Sequence, residues 1–219
     1  PVRPELPAEG VSQLLRLVEI MARLRTDCPW DAEQTHRSLV KHLIEETAEV
    51  VDAIEAGGSD GKIPDDDLRE ELGDLLLQIY FHAEIASTQD RFGIEDVAGG
   101  ICDKLVRRHP WVFDGADDPA DMMGAWEAAK RAEKRRRSAL EGIAESLPTL
   151  ARADKVVSRT RHVRLDVPMA DEPITAEQAG RQVLAIVQRA QASGVDADQA
   201  TRDALRALEG EIRRVEGGL

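Results

Sequence analysis

An all-α fold is the expectation for this 219-residue chain, on three observations. Aromatic residues make up only 3% of it, while Ala, Leu, Glu and Arg are abundant, a balance that favours helices over strands. Apolar positions recur at three- and four-residue spacing through several long stretches. Those stretches stop at punctuation such as Cys28-Pro29, Gly57-Gly58 and Phe92-Gly93.

Pro1 to Gly10 is expected to be a loose leader, and an opening on Pro1 rather than Met fits a trimmed start. From Val11, the residues Leu14, Leu15, Val18, Met21, Ala22 and Leu24 keep helical spacing, and the helix must stop before Pro29. The polar loop through His36 holds Trp30. That ring is either a plug at the core edge or the wall of a substrate pocket. Ser38 is the expected N-cap of a helix from Leu39 to Ala56. Asp65 to Asp67 are expected to cap the next, from Leu68 to Thr88, whose Leu72, Leu75, Leu76, Ile79, Tyr80 and Ala83 read as core. His82 on it is expected to pack or to face solvent. A fourth helix, Ile94 to Arg108, ends in the basic cluster Lys104 to His109, placed favourably at a helix C-terminus. Trp111 to Asp121 reads as irregular, and Trp126 to Glu145 as helix with a basic run from Lys130 to Arg137.

Chemistry concentrates between Glu45 and Asp74. Glu46 and Glu49 are three apart, as are Glu71 and Asp74, so each pair shares one helix face. Folded antiparallel, the two helices aim four carboxylates at one point. Unpaired like charges at that distance repel and are costly to bury. A divalent cation relieves both problems, and all-oxygen ligands without Cys or His select Mg²⁺ or Mn²⁺ over zinc. A solvated acidic face fits less well, because Leu43, Ile44, Val50, Val51, Ile54, Leu72, Leu75 and Ile79 are interleaved with the acids. The basic cluster near Arg108 suits a polyphosphate held against such a cation. Trp126 and Lys130, one turn apart, suit a stacked base and a phosphate.

The formal charge of −13 argues against nucleic acid and acidic membrane surfaces as partners. Two cysteines, Cys28 and Cys102, make no disulfide framework and point to a reducing cytoplasm. No signal peptide and no membrane-spanning apolar run is apparent. Leu147 to Leu219 reads as a shifted copy of the preceding part. Glu177-Gln178-Ala179-Gly180-Arg181 aligns with Glu70-Glu71-Leu72-Gly73-Asp74, and Arg213-Arg214-Val215 echoes Arg107-Arg108. With Gln178 and Arg181 at the ligand positions, the copy is expected to be structural.

Taken in order, Cys28-Pro29-Trp30-Asp31, Gln34-Thr35-His36, Glu45-Glu46-x-x-Glu49, Glu71-Leu72-Gly73-Asp74, Phe81-His82 and Lys104-x-x-Arg107-Arg108-His109-Pro110 resemble the MazG nucleoside triphosphate pyrophosphohydrolases over Val11 to Lys155. The resemblance implies a four-helix, all-α bundle completed by dimerisation. It implies a catalytic domain at 11–145 and a C-terminal helical extension, 146–219, resembling a degenerate second MazG repeat. It implies Mg²⁺-dependent cleavage of NTPs and dNTPs to monophosphate and pyrophosphate, with Mn²⁺ as a substitute, in a sanitising role. By position, Glu46, Glu49, Glu71 and Asp74 match the metal ligands and Glu45 the remaining motif glutamate; Glu45 or Glu49 is the expected general base. Trp30, His42, Glu45, Lys104, Arg107, Arg108, Trp126 and Lys130 form the expected nucleotide-binding set. A homodimer or a dimer of dimers is the expected assembly. Two departures stand out: Trp111 where many relatives place His, and an altered second half where longer members are catalytic. Activity is therefore expected in the first half.

Three alternatives compete. A di-iron bundle needs Glu-x-x-His on two helices, and only Glu33 to His36 offers that spacing. A non-catalytic acidic helical interaction module keeps the fold without the chemistry. A dUTPase or phosphoribosyl-ATP-type pyrophosphohydrolase shares the chemistry and differs in the base pocket.

Overall fold

The computed structural model describes residues 12–57, 62–134 and 137–218, and every regular element in them is a helix. The expected leader lies outside the described residues, as do the second glycine of the Gly57-Gly58 stop and two arginines of the 130–137 run. The chain forms two compact units, Pro1–Phe113 and Asp114–Leu219.

The first unit begins with α1 (Gln13–Asp27), which ends where Pro29 forbids continuation. Pro29 then occupies the first position of a short helix, α2 (Pro29–Glu33), in a segment expected to be loop. A proline is well placed there, because its missing N–H has no intrahelical partner anyway. Arg25 closes the other end of α2. Its guanidinium donates to the carbonyls of Asp31, Ala32 (3.1 Å) and Gln34 (3.1 Å), and lies 5.9 Å from the Phe81 ring centre. One nitrogen of the guanidinium, Nη1, thus gathers carbonyls that a short helix leaves open.

Helix α3 (Val40–Glu55) starts later than expected, and Ser38 is not its cap. The Ser38 hydroxyl is engaged upstream, accepting from the Thr35 N–H (2.9 Å) and donating to Gln34 Oε1 (2.7 Å). Helix α4 (Asp65–Ser87) begins with the three aspartates inside its first turn, and none of them caps it by a side-chain hydrogen bond. Negative charge there still complements the helix dipole. After Gly93 come α5 (Ile94–Arg108) and one turn, α6 (Pro110–Phe113), within the stretch expected to be irregular.

Met21, Leu39, Tyr80, Phe81 and Ile85 form the core of this unit, with Leu17, Leu24, Leu76 and Ile94 around them. The α3–α4 pair is the most extensive helix contact in the chain. Two of the six expected core residues of α4 are not core: Leu72 is 48% exposed and Ile79 42%. Ile44, Val51 and Ile54 on α3 are also exposed. The reason is geometric, since α3 packs chiefly against α4 and leaves its far side open.

The second unit holds α7 (Met122–Lys134), α8 (Thr149–His162), α9 (Ala176–Ala192) and α10 (Ala197–Gly217). Helix α7 stops short of the expected Glu145. Ala139, Ile143, Val156, Val167, Leu205 and Ile212 make the core of this unit. Gly194 takes a positive φ of 67° after α9, where glycine escapes the Cβ clash of the left-handed conformation.

Candidate active site

Antiparallel α3 and α4 bring together Glu46, Glu49 and Glu71, each with a carboxylate oxygen within 4.8 Å of the others. Asp74, one turn beyond Glu71, is not in that trio, but its charge is felt by both Glu46 and Glu71. The Glu46 carboxyl is held above its ordinary 4.5, first by desolvation, then by the charges of Asp74 and Glu49, and by a hydrogen bond with Glu49. Glu71 is raised as well, by desolvation first and then by Glu49 and Asp74. Carboxylates that raise one another's pKa repel, and a positive charge among them relieves that repulsion. Hard oxygen donors at this separation fit a hexacoordinate divalent cation such as Mg²⁺.

The sign of the pH effect follows. A carboxyl with a raised folded-state pKa stabilises the fold below the unfolded value and loses that contribution as pH rises through the folded one. With divalent ions chelated, the melting temperature is therefore expected to fall between pH 4.5 and 7 relative to a Glu46→Gln/Glu71→Gln variant. Mg²⁺ at pH 7 should recover the difference, and at pH 5 recover less. Identical curves for the two proteins would refute mutual repulsion. The comparison with the double variant is needed because His82 acts in the opposite sense. Burial, then the neighbouring His36, hold His82 below its ordinary 6.5, so its contribution is full above 6.5 and is lost on acidification.

Glu45 stands apart from the trio, and its Oε2 lies 3.1 Å from His42 Nδ1. His42 in turn meets Trp30 edge-on at 6.1 Å, and Trp30 meets Phe81 at 6.3 Å. Trp30 is 55% exposed, so it is not a plug at the core edge. On α5, Arg107 is exposed, Lys104 half-buried and Arg108 buried. Trp126 and Lys130 belong to the second unit. There the Lys130 ammonium rests 4.6 Å over the Trp126 ring centre, on a face that a base would otherwise stack against.

One cluster went unforeseen. His36 and His82 stack with rings 5.1 Å apart and Nδ1 atoms 2.8 Å apart, and Arg91 approaches His36 Nε2 at 2.6 Å. Residues from three separate segments meet there, and no single-segment spacing announces it. The same contacts occupy His36, the histidine of the Glu33-x-x-His36 spacing that a di-iron reading would need. In the second unit, the positions aligned with the carboxylates have other uses. Thr175 and Gln178 form a reciprocal cap at the start of α9, and Arg181 pairs with Glu177 at 3.3 Å.

Comparison with known proteins agrees with this geometry. A family profile described as the MazG nucleotide pyrophosphohydrolase domain matches residues 34–113. An uncharacterized 26.1 kDa protein of Streptomyces cacaoi is 42% identical over 211 residues, covering 94% of this chain and 84% of that protein. The nucleoside triphosphate pyrophosphohydrolase of Escherichia coli (strain K12) is 43% identical over 164 residues, 71% of this chain and 60% of the relative. That of Mycobacterium tuberculosis is 42% identical over 167 residues, 75% and 50% respectively. The chain thus spans half to three-fifths of the length of these two pyrophosphohydrolases. With that similarity, an all-helical fold and the α3–α4 acidic cluster lying inside the matched segment, the chain belongs to the MazG nucleotide pyrophosphohydrolase family.

Proposed function

We propose that this chain is an Mg²⁺-dependent nucleoside triphosphate pyrophosphohydrolase that clears non-canonical or damaged nucleotides. The observation that carries it is the convergence of Glu46, Glu49 and Glu71 within 4.8 Å, beside Asp74. These four side chains would hold the cation, and Mg²⁺, or Mn²⁺ in its place, would supply the positive charge that offsets a triphosphate in this acidic site. Glu45 or Glu49 takes the proton from a water that attacks the α-phosphorus, and the bond to the β-phosphate breaks to release pyrophosphate. The position of Glu45 outside the trio favours it for that role. Lys104 and Arg107 offset the charge of the leaving group. Arg108, buried on the same helix, is less well placed to meet it and serves better to fix α5. Trp30 and His42 form the wall for the base.

The open apolar faces of α3 and α4 support self-association, as a homodimer or a dimer of dimers. Two free cysteines agree with a reducing cytoplasm, and among the described residues no helix is long and apolar enough to cross a membrane. The uses of Gln178 and Arg181 support a degenerate, structural repeat in the second unit. Canonical and oxidised nucleotides with Mg²⁺, scored by pyrophosphate, are the direct assay. Release should require the metal and vanish with chelator. An inert panel, together with a melting temperature indifferent to Mg²⁺ plus nucleotide, would leave only an acidic interaction module.

A further inference from the structure

Gln78 is buried on α4, only 5% exposed, and its Oε1 has no hydrogen-bond partner. A buried amide oxygen without a donor is costly, and native proteins retain few of them without a use. Its place on the helix is informative. Gln78 lies four residues after Asp74 and three before Phe81, so it follows Glu71 and Asp74 on one stripe of α4. On α3, His42 stands in the matching relation, four residues before Glu46. One turn from the acidic cluster, about 6 Å along each axis, the two helices thus change from carboxylates to Gln78 and His42. Trp30 bridges that level, with its ring edge-on to both His42 and Phe81. A nucleotide anchored by its phosphates at the carboxylates carries its base toward that level.

We propose that Gln78 is the base-reading residue of this site, its side-chain carbonyl accepting a hydrogen bond from an N–H on the polar edge of a base seated against Trp30. The proposal rests on the nucleotide-hydrolase reading above. The ligand class is a nucleotide whose base carries an amino or imino donor, and a base without one leaves the oxygen unanswered. Because Oε1 is shut off from solvent, a neighbouring side chain must give way. The amide N–H₂ of Gln78 supplies a donor beside the acceptor, so one residue can meet a paired donor and acceptor on the base edge.

The test uses donor-deleted analogues. CTP is compared with 2-pyrimidinone riboside triphosphate, and ATP with purine riboside triphosphate, in the wild type, Gln78→Leu and Gln78→Met. The wild type should favour the amino-bearing member of a pair by about tenfold in kcat/KM, the value of one hydrogen bond at a buried site. The variants should lose that preference and melt no lower than the wild type without ligand, since an unanswered polar atom has been removed. Equal treatment of both members by the wild type overturns the proposal. So does a preference that survives in a folded variant, or a lowered melting temperature with the preference intact, which marks a purely structural amide. If no nucleotide releases pyrophosphate, it is the hydrolase reading that fails. Mg²⁺-dependent melting shifts with the same four nucleotides then decide the base question, a larger shift for the amino-bearing members supporting Gln78 and equal shifts excluding it.

Discussion

Replacing Glu46 by glutamine, or Asp74 by asparagine, is expected to lower pyrophosphate release by roughly a hundredfold or more, since even groups that only orient a metal's ligands cost ten- to a hundredfold when removed. The two substitutions act at different points of one electrostatic unit. Glu46 supplies an oxygen of the trio. Asp74 lies one turn from Glu71 and raises the proton affinity of both Glu46 and Glu71. Each change keeps the shape of the side chain and removes one negative charge. In the absence of metal, both variants should therefore melt no lower than the wild type, and somewhat higher at neutral pH where the repulsion is full. That pairing, activity lost and apo stability kept or gained, separates a metal ligand from a residue that merely holds the fold. Full activity in both variants would reject the site.

The largest effect on stability is expected at Glu209 in the second unit. Its carboxylate is 6% exposed and accepts from Arg152 Nη2 at 2.7 Å and Nε at 3.1 Å, while Arg213 approaches its other oxygen at 3.4 Å. Arg152 also donates to the Ala144 carbonyl at 3.0 Å. Glu209→Ala leaves Arg152 largely enclosed with its principal acceptor gone, at a cost of roughly 3 kcal/mol or more. For a unit of this size that is a fall of about 12 °C or more in its melting temperature. Replacing Glu209 and Arg152 together with apolar residues should recover most of it, because a buried pair is often matched by good packing. Removal of the exposed Arg69–Asp66 pair should be almost silent by comparison. If Glu209→Ala melts like the wild type, the pair has no structural role.

The helices were legible because their signals are local. Apolar spacing with Pro and Gly stops located α1, α3, α4 and α5 to within a few residues, and the three-residue carboxylate spacing located the acidic cluster of Glu46, Glu49 and Glu71. What escaped depended on contacts between distant segments. Ser38 is a good N-cap by composition, yet Thr35 and Gln34 capture its hydroxyl first. Leu72 and Ile79 carry the helical apolar period, but period alone does not say whether a neighbour is present to cover them. The stack of His36 on His82 joins residues 46 apart in sequence, and Gln78 sits unannounced within an apolar run. Conformations too escaped the sequence, as the Lys130 ammonium lying on Trp126 illustrates.

The three carbonyls gathered by Arg25 bear on how fast the site can fill. Backbone that would otherwise sample many conformations around Trp30 is tied down as the chain folds. An arriving molecule then has only side chains to immobilise, and its capture is governed by diffusion and charge more than by any ordering of the mouth. Arg25→Ala would leave those three carbonyls unanswered and the segment around Trp30 slack, and slow the encounter even with every acidic ligand intact.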